Sequence, residues 1–267
     1  MREVWAVKPG SKVDVSTIDP GDTRALKGGR SAAEASLESD RQALVEWQTR
    51  LWAESRRSLL LILQGTDASG KDGTVAHVFS GVNPQGTSVT AFKEPTALEL
   101  AHDFLWRVHQ AVPHAGQIGV FNRSQYEDVL VARVRKLVPK TVWKKRYDDI
   151  AAFESLLTEG GTTIVKCCLL ISKDEQRRRF EERLKDPQKR WKFKRGDLED
   201  RALWKEYQAA YSEAITRTST RDAPWYIVPA DHKWYRNWVV SRLLIETLTD
   251  MDPKYPEPAD LAGITIT

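Results

Sequence analysis

The segment GTDASGKDG, from Gly65 to Gly73, contains the residues whose types and spacing point most directly to chemistry. It has the form GxxxxGK and follows a short apolar run, 58–64, that predicts a buried strand. A glycine-rich loop between a strand and a helix directs backbone N–H groups toward phosphate oxygens, and Lys71 would neutralise the phosphates beyond them. We therefore predict a phosphate-binding loop, with an ordinary glycine turn as the alternative.

Two acidic residues of this loop bear on metal binding. Asp72 stands where a Ser or Thr normally ligates Mg²⁺ after the lysine, so the metal must be held differently. Asp67 could supply an oxygen ligand or accept a proton, because Mg²⁺ prefers one or two carboxylates with phosphate oxygens and water. Capping of the loop is the alternative role for Asp67. We expect phosphate or nucleotide contacts along the whole loop, at Gly65, Ala68, Ser69, Gly70, Asp72 and Gly73.

A second group of polar residues follows another apolar run, in the segment QIGVFNRSQYEDV over 117–129. The pattern places Asn122 and Arg123 at the carboxyl end of a strand, where ligands of open α/β sheets bind. Arg123 would face the transferring phosphoryl group, and Glu127 with Asp128 would complete a metal site. The alternative is an acidic pair that only complements the dipole of a helix start.

Basic residues cluster in two parts of the chain. Residues 129–147 contain seven basic and no acidic residues, namely Arg133, Arg135, Lys136, Lys140, Lys144, Lys145 and Arg146. Residues 177–195 contain ten basic and three acidic residues. One such run is commonly a solvated face, but two in one chain suggest a polyanionic ligand. Nucleic acid and polyphosphate both fit on electrostatic grounds.

Apolar patterning predicts the elements that position these residues. Strands are expected at 58–64, 88–92, 117–121, 162–171 and 225–228, and helices at 31–54, 97–112, from 125, 144–158, 174–185, 198–218 and 233–248. This alternation predicts a parallel sheet covered by helices on both faces. The first 30 residues are expected to form an arm on the surface, and the tail after residue 252 to be extended.

Composition restricts the class of protein. The 267 residues carry 41 Lys+Arg and 37 Asp+Glu, a net charge of +4, and 41% are hydrophobic. This suffices for the core of a globular enzyme or binding domain and argues against a disordered chain. Because no run approaches the ~18 apolar residues of a membrane span and the N-terminus lacks an apolar signal region, we expect a soluble, cytoplasmic protein without a membrane partner. The adjacent Cys167 and Cys168 are expected to be reduced core thiols.

Four motifs together resemble the polyphosphate kinase 2 family: LQGTDASGKDG, FKEPTALELAHDFLWR, IGVFNRSQYEDVLV and DPQKRWKFKRGDLEDRALWKEY. The resemblance covers 31–248 and implies a three-layer α/β P-loop kinase fold of the thymidylate kinase type, with a central parallel sheet and a helical lid. It also implies phosphate transfer between inorganic polyphosphate and a nucleotide, with Mg²⁺ or alternatively Mn²⁺, and a homo-oligomer, dimer or tetramer. The corresponding domains are an arm at 1–30, a kinase domain at 31–252 and a tail at 253–267.

Carried over by position, the family's loop acid, P-loop lysine and Walker B arginine are Asp67, Lys71 and Arg123. The mobile lid corresponds to 186–204, although Lys194 and Arg195 stand where the family often has a small residue. The residues expected to contact phosphate outside the loop are Lys93, Asn122, Arg133, Lys189, Arg190, Lys192 and Lys194.

The family's one-step subgroup commonly has FDRSWYNR where this chain has FNRSQYED. Asn122, Glu127 and Asp128 therefore resemble the third subgroup, which phosphorylates nucleoside mono- and diphosphates. The expected partners are polyphosphate, AMP, ADP and ATP, with guanine nucleotides as further candidates. An ATP-dependent nucleoside monophosphate kinase is the main alternative. A non-catalytic nucleic-acid-binding protein would account for the basic runs but not for the three catalytic candidates, so no nucleic-acid partner is expected.

Overall fold

The computed structural model describes residues 1–258 and 264–266 of the chain. Its five strands are β1 (Ser58–Gln64), β2 (Thr87–Ala91), β3 (Ile118–Asn122), β4 (Thr162–Leu170) and β5 (Trp225–Pro229). They form one parallel sheet in the order β2-β3-β1-β4-β5. All seven residues of β1 are buried, because this central strand is covered on both faces. The predicted parallel sheet is confirmed.

Helices cover both faces of the sheet. They are α1 (Arg2–Trp5), α2 (Gly29–Glu54), α3 (Lys71–Val78), α4 (Ala97–Leu100), α5 (Trp106–His109), α6 (Val131–Val134), α7 (Lys140–Glu159), α8 (Lys173–Lys185), α9 (Arg195–Ala202), α10 (Trp204–Thr218) and α11 (Lys233–Met251). Leu59, Leu61 and Leu63 of β1 pack in one cluster with residues of α2, α3 and α11. Leu60 and Ile62 pack with residues of α6, α7 and α10 in the other. The three-layer α/β architecture is therefore confirmed.

Three helix predictions were wrong in extent. Segment 97–112 forms α4 and α5 because Asp103 interrupts it, with its carboxylate accepting from Leu105 N at 3.0 Å and its carbonyl from Trp106 N at 3.1 Å. The helix expected from 125 is a 3₁₀ turn, Gln125–Asp128, followed by α6. Segment 198–218 divides at Leu203 into α9 and α10.

The first 30 residues contact the sheet at its β5 edge. Ala6 forms an antiparallel bridge with Tyr226, and Val7 N donates to Trp225 O at 2.8 Å. The side chains of Trp5, Val7 and Val15 are buried. The segment thus packs into the two apolar clusters rather than lying wholly on the surface.

The remaining expectations concern the thiols, the tail and membranes. Cys167 and Cys168 are free and buried, one in each apolar cluster, and burial raises the pKa of both thiols, that of Cys168 to about 12. Residues 252–258 are neither helix nor strand, while 259–263 and 267, also in the predicted tail, lie outside the described residues. No helix of the described part of the chain is long and apolar enough to cross a membrane.

Candidate active site

The loop between β1 and α3 has every carbonyl from Gly65 to Gly70 bonded within the protein. Lys71 Nζ donates to Gly65 O at 2.6 Å and to Thr66 O at 3.3 Å. The next three carbonyls accept from side chains of α8 and α11: Asp67 O from Gln176, Ala68 O from Arg179, and Ser69 O from Arg179 and Arg236. Gly70 O accepts from Thr74 N at 2.9 Å.

The loop's N–H groups are arranged in the opposite way. Among the described backbone N–H groups of residues 67–72, only the N–H of Ser69 donates to a protein acceptor, which is Thr66 O at 3.1 Å. A loop with bonded carbonyls and free N–H groups at a helix N-terminus is suited to an anion. Gly65 and Gly70 have φ of 153° and 102°, and Ala68 has a left-handed φ of 63°.

Lys71 does not extend beyond the loop, where the sequence analysis expects it to neutralise phosphates. The side chain is buried, and Nζ points back to the loop carbonyls. Burial lowers the pKa of Lys71 to about 8, aided by the charge of Arg123 and opposed by Asp67, Glu127 and Asp72. The ammonium must leave these carbonyls to reach a phosphate.

Arg123 lies between two carboxylates at the carboxyl end of β3. Its Nη2 lies 2.7 Å from Asp67 Oδ1, and its Nη1 lies 3.1 Å from Glu127 Oε2. The charge of Glu127, and then that of Asp67, raises the pKa of Arg123 despite burial. The backbone of Arg123 has a left-handed φ of 66°, with N donating to Leu63 O at 3.0 Å. Strained backbone of this kind often accompanies functional sites.

Asp72, Asn122 and Lys192 connect three elements above the loop. Asn122 Nδ2 donates to Asp72 Oδ1 at 2.7 Å, and Lys192 Nζ lies 3.0 Å from Asp72 Oδ2. Lys192 belongs to the 3₁₀ turn Arg190–Lys192, within the segment 186–204 that is predicted to be the lid and keeps that name below. The residue that replaces the usual Mg²⁺-ligating Ser or Thr therefore contacts the lid.

The other lid cations bond to residues close to them in sequence or are exposed. Lys189 pairs with Asp186 at 2.6 Å, and Arg190 Nε donates to Leu184 O at 2.7 Å. Lys194 is exposed, and its backbone N donates to Asp197 at the start of α9. The lid also carries Trp191, whose side chain is 76% exposed.

Three other predicted residues are not brought to the loop. Asp128 Oδ1 pairs with Arg146 at 3.0 Å, because the tight turn after Ser124 points consecutive carboxylates in different directions. Lys93 is exposed after β2. Arg133 pairs with Glu213 at 2.8 Å and lines a separate open cleft of about 780 Å³ with Lys136, Lys140 and Lys144.

Sequence reasoning missed a buried network beneath the Arg123–Glu127 turn. Lys166 Nζ in β4 bonds to Glu154 Oε2 at 2.5 Å and to Tyr126 Oη at 3.0 Å. Tyr126 Oη also donates to Glu154 Oε1 at 2.8 Å. The network fixes the middle of the turn whose ends are Arg123 and Glu127. A lysine within the apolar run TTIVKCCLL was the available signal.

Asp67, Arg123 and Glu127 line one cavity with residues of α6, α9 and α10, among them Tyr207 and Tyr211. Asp128 is absent from this lining. The described residues contain no group of three metal-ligating side chains. Two carboxylates beside a phosphate-binding loop do fit Mg²⁺, which usually takes one or two carboxylates and completes its shell with phosphate oxygens and water.

Comparisons with known proteins agree with this arrangement. The family model described as Polyphosphate kinase 2 (PPK2) matches residues 28–256. A relative from Meiothermus ruber named AMP/ADP-polyphosphate phosphotransferase is 53% identical over 254 residues, covering 95% of each chain. A Rhodopseudomonas palustris relative named ADP-polyphosphate phosphotransferase is 46% identical, covering 95% of this chain and 91% of its own. The crystal structure of polyphosphate kinase 2 from Arthrobacter aurescens has 47% identity and a TM-score of 0.93, covering 97% of this chain and 92% of its own. By sequence and by fold, this chain belongs to the polyphosphate kinase 2 family.

Proposed function

We propose that this enzyme transfers phosphoryl groups reversibly from inorganic polyphosphate to AMP and ADP, forming ADP and ATP. The observation that carries the proposal is Arg123, held between Asp67 and Glu127 beside a loop whose carbonyls are all bonded internally. Relatives named for transfer between polyphosphate and AMP or ADP support the choice of substrates. The third-subgroup assignment and the use of guanine nucleotides remain predictions.

Phosphoryl transfer needs positioned charge more than covalent chemistry from the protein. We propose that the loop N–H groups hold the transferring phosphate and that Lys71 moves from Gly65 O to its oxygens. Arg123 would stabilise charge on the equatorial oxygens. The rest of the polyphosphate chain would lie along the lid and the basic cleft. Helix α6 contributes to both the cavity and the basic cleft, because Val131 lines the cavity and Arg133 lines the cleft.

The charges at the loop support a requirement for a divalent cation. Lys71 and Arg123 are balanced by Asp67 and Glu127, so these four groups offer no net positive charge to two polyanionic substrates. We propose that Asp67 and Glu127 hold Mg²⁺, or alternatively Mn²⁺. The bound ion would neutralise phosphate charge and orient the phosphates. Asp128, which pairs with Arg146, is left out of this proposal.

The test is incubation of the purified protein with AMP or ADP and Mg²⁺, with either polyphosphate or ATP as donor, followed by chromatography of the nucleotides. We expect ATP to form from ADP and polyphosphate, and ADP then ATP to form from AMP and polyphosphate. Activity on AMP with ATP but not with polyphosphate would instead establish a nucleoside monophosphate kinase. An Asp67→Asn variant should lose activity and respond less to added Mg²⁺.

Location and assembly belong to the same proposal. We propose that the protein is cytoplasmic and that it forms a homo-oligomer, the latter as the family resemblance implies. Size-exclusion chromatography with light scattering measures the assembly, and a monomer at assay concentration would refute that part. Failure of single-stranded RNA to compete with polyphosphate would support the absence of a nucleic-acid partner.

A further inference from the structure

Arg236 is a buried guanidinium of α11 that lies behind the phosphate-binding loop. Its side chain is only 3% exposed. Nη1 donates to Ser69 O at 3.2 Å, and Nε and Nη2 donate to Asn237 Oδ1 at 3.1 and 2.8 Å. In the described part of the chain no carboxylate pairs with this guanidinium. Burying a charge without a counter-charge is costly, so the position calls for an explanation.

The groups around Arg236 make its charge more unfavourable in the absence of ligand. Burial and the charge of Arg179 lower the pKa of Arg236 to about 9, so it remains protonated at neutral pH. Arg179 is itself 5% exposed and bonds to Ala68 O and Ser69 O from the same side. Its carboxylate partner is Glu175 at 2.6 Å. The positive end of α3 lies above the pair, and helix dipoles disfavour cations there.

The loop is shaped to admit this guanidinium. A Cβ on Gly70 would lie 1.7 Å from Arg236 Nη1, and one on Gly73 would lie 3.5 Å from Nη2. Both glycines of the GKDG segment therefore face Arg236. The side chain is thus part of the loop's construction rather than an incidental neighbour.

We propose that Arg236, with Arg179 beside it, is a positioning residue for phosphate binding, an inference that rests on the proposed function. Arg236 holds the Ser69 carbonyl away from the bound anion, so that the loop N–H groups are directed toward the anion. It also supplies a buried positive charge that is offset when a phosphate binds on the other side of the loop. The buried charge is unfavourable in the free protein, and phosphate binding relieves this, which strengthens binding.

The experiment compares Arg236→Met and Arg236→Lys with the parent enzyme. Lys233→Met is the matched control, since it removes an exposed charge at the start of α11. Thermal unfolding is measured with and without inorganic tripolyphosphate, whose dissociation constant is measured by calorimetry. KM and kcat are measured with ADP and long-chain polyphosphate.

Removing Arg236 leaves Ser69 O bonded to Arg179 and relieves the repulsion between the two guanidinium groups, but it also takes both donors from the buried Asn237 Oδ1. Because these effects oppose each other, we expect Arg236→Met to fold and to unfold within about 5 °C of the parent. It should bind tripolyphosphate about tenfold more weakly. KM for polyphosphate should rise by a similar factor. Binding of Arg236→Lys is measured at pH 6, because burial beside Arg179 would also lower the pKa of a lysine there. At that pH the lysine keeps the charge and should bind within about threefold of the parent, and Lys233→Met should match the parent.

The results separate this inference from the proposed function. Arg236→Met that binds as tightly as the parent would overturn it. So would a variant that does not fold, because the role would then be structural. Weak binding at pH 6 by a folded Arg236→Lys would likewise refute a role for the charge. A parent enzyme without transfer from polyphosphate would instead refute the proposed function, whatever the variants bind.

Discussion

The pKa of Lys71, lowered to about 8 by burial, predicts how activity depends on pH. A charged ammonium is needed to contact phosphate, and the group loses its proton as pH rises through 8. The protonated fraction falls from roughly 0.9 at pH 7 to roughly 0.1 at pH 9, so kcat/KM for polyphosphate should fall about tenfold. Tyr207 and Tyr211 line the cavity beside Asp67 and Arg123, but burial raises the pKa of both, so they do not titrate in this window. Arg236, whose pKa is lowered to about 9, would lose no more than about half of its charge by pH 9, which is a roughly twofold effect.

The assay is the initial rate of ATP formation from ADP at limiting polyphosphate, at constant ionic strength between pH 7 and 9. Bound phosphates stabilise the ammonium, so kcat at saturation should fall at higher pH than kcat/KM does. Lys71→Arg keeps its charge throughout this range, so its residual activity should fall by no more than the roughly twofold effect of Arg236.

The pH dependence of stability gives an independent check, because the contribution of Lys71 to stability should rise with pH while activity falls. The folded pKa of Lys71 lies below the unfolded value of 10.5, so the unfolded chain binds more protons between these values. The contribution of Lys71 to the free energy of unfolding therefore rises with pH in this window, and lost activity cannot be ascribed to its effect on stability. A flat kcat/KM profile, or the same fall in Lys71→Arg, would refute the assignment.

The lid, the acidic pair and a loop glycine give three further predictions. Neutralising the four lid cations together should weaken polyphosphate binding and flatten its salt dependence. These cations are Lys189, Arg190, Lys192 and Lys194. Unchanged binding would show that the lid charges only face solvent. Glu127→Asn with Asp128→Arg should lower activity on AMP far more than on ADP, because AMP ends one phosphate short and depends more on the metal that Glu127 would hold. Because only Glu127 lines the cavity, Glu127→Asn alone should reproduce this selectivity, and parallel losses on both acceptors would contradict it. Gly70→Ala should destabilise the protein by about 2 kcal/mol or more in denaturant unfolding, since its Cβ would meet Arg236. Gly81→Ala, at φ +87° with nothing within 4 Å, should cost only about 1 kcal/mol, and equal losses would refute the clash.

Local sequence patterns correctly predicted the parts of the structure that are built from residues close together in the chain. The run 58–64 predicted β1 at its observed bounds, because a central strand is apolar on both faces. The spacing of Gly65, Gly70 and Lys71 indicated a phosphate-binding loop, since a strand, a turn and a helix N-terminus adjacent in sequence build it. The position of Arg123 followed from its place after an apolar strand.

Long-range contacts could not be predicted in this way. Gln176 and Arg236 bond to loop residues 109 and 167 positions earlier, and each is only one polar residue of a helix in the sequence. The inward direction of Lys71 depends on the loop's own carbonyls. Glu127 and Asp128 are adjacent in sequence, yet in the 3₁₀ turn Glu127 pairs with Arg123 and Asp128 pairs with Arg146.

The buried thiols of β4 make the enzyme convenient for site-specific labelling. Cys167 and Cys168 are the chain's two cysteines, and burial keeps both protonated and out of reach of reagents. A Trp191→Cys variant would therefore carry one accessible, fast-reacting thiol on the lid. A fluorophore attached there would report lid position while the native cysteines stay in place.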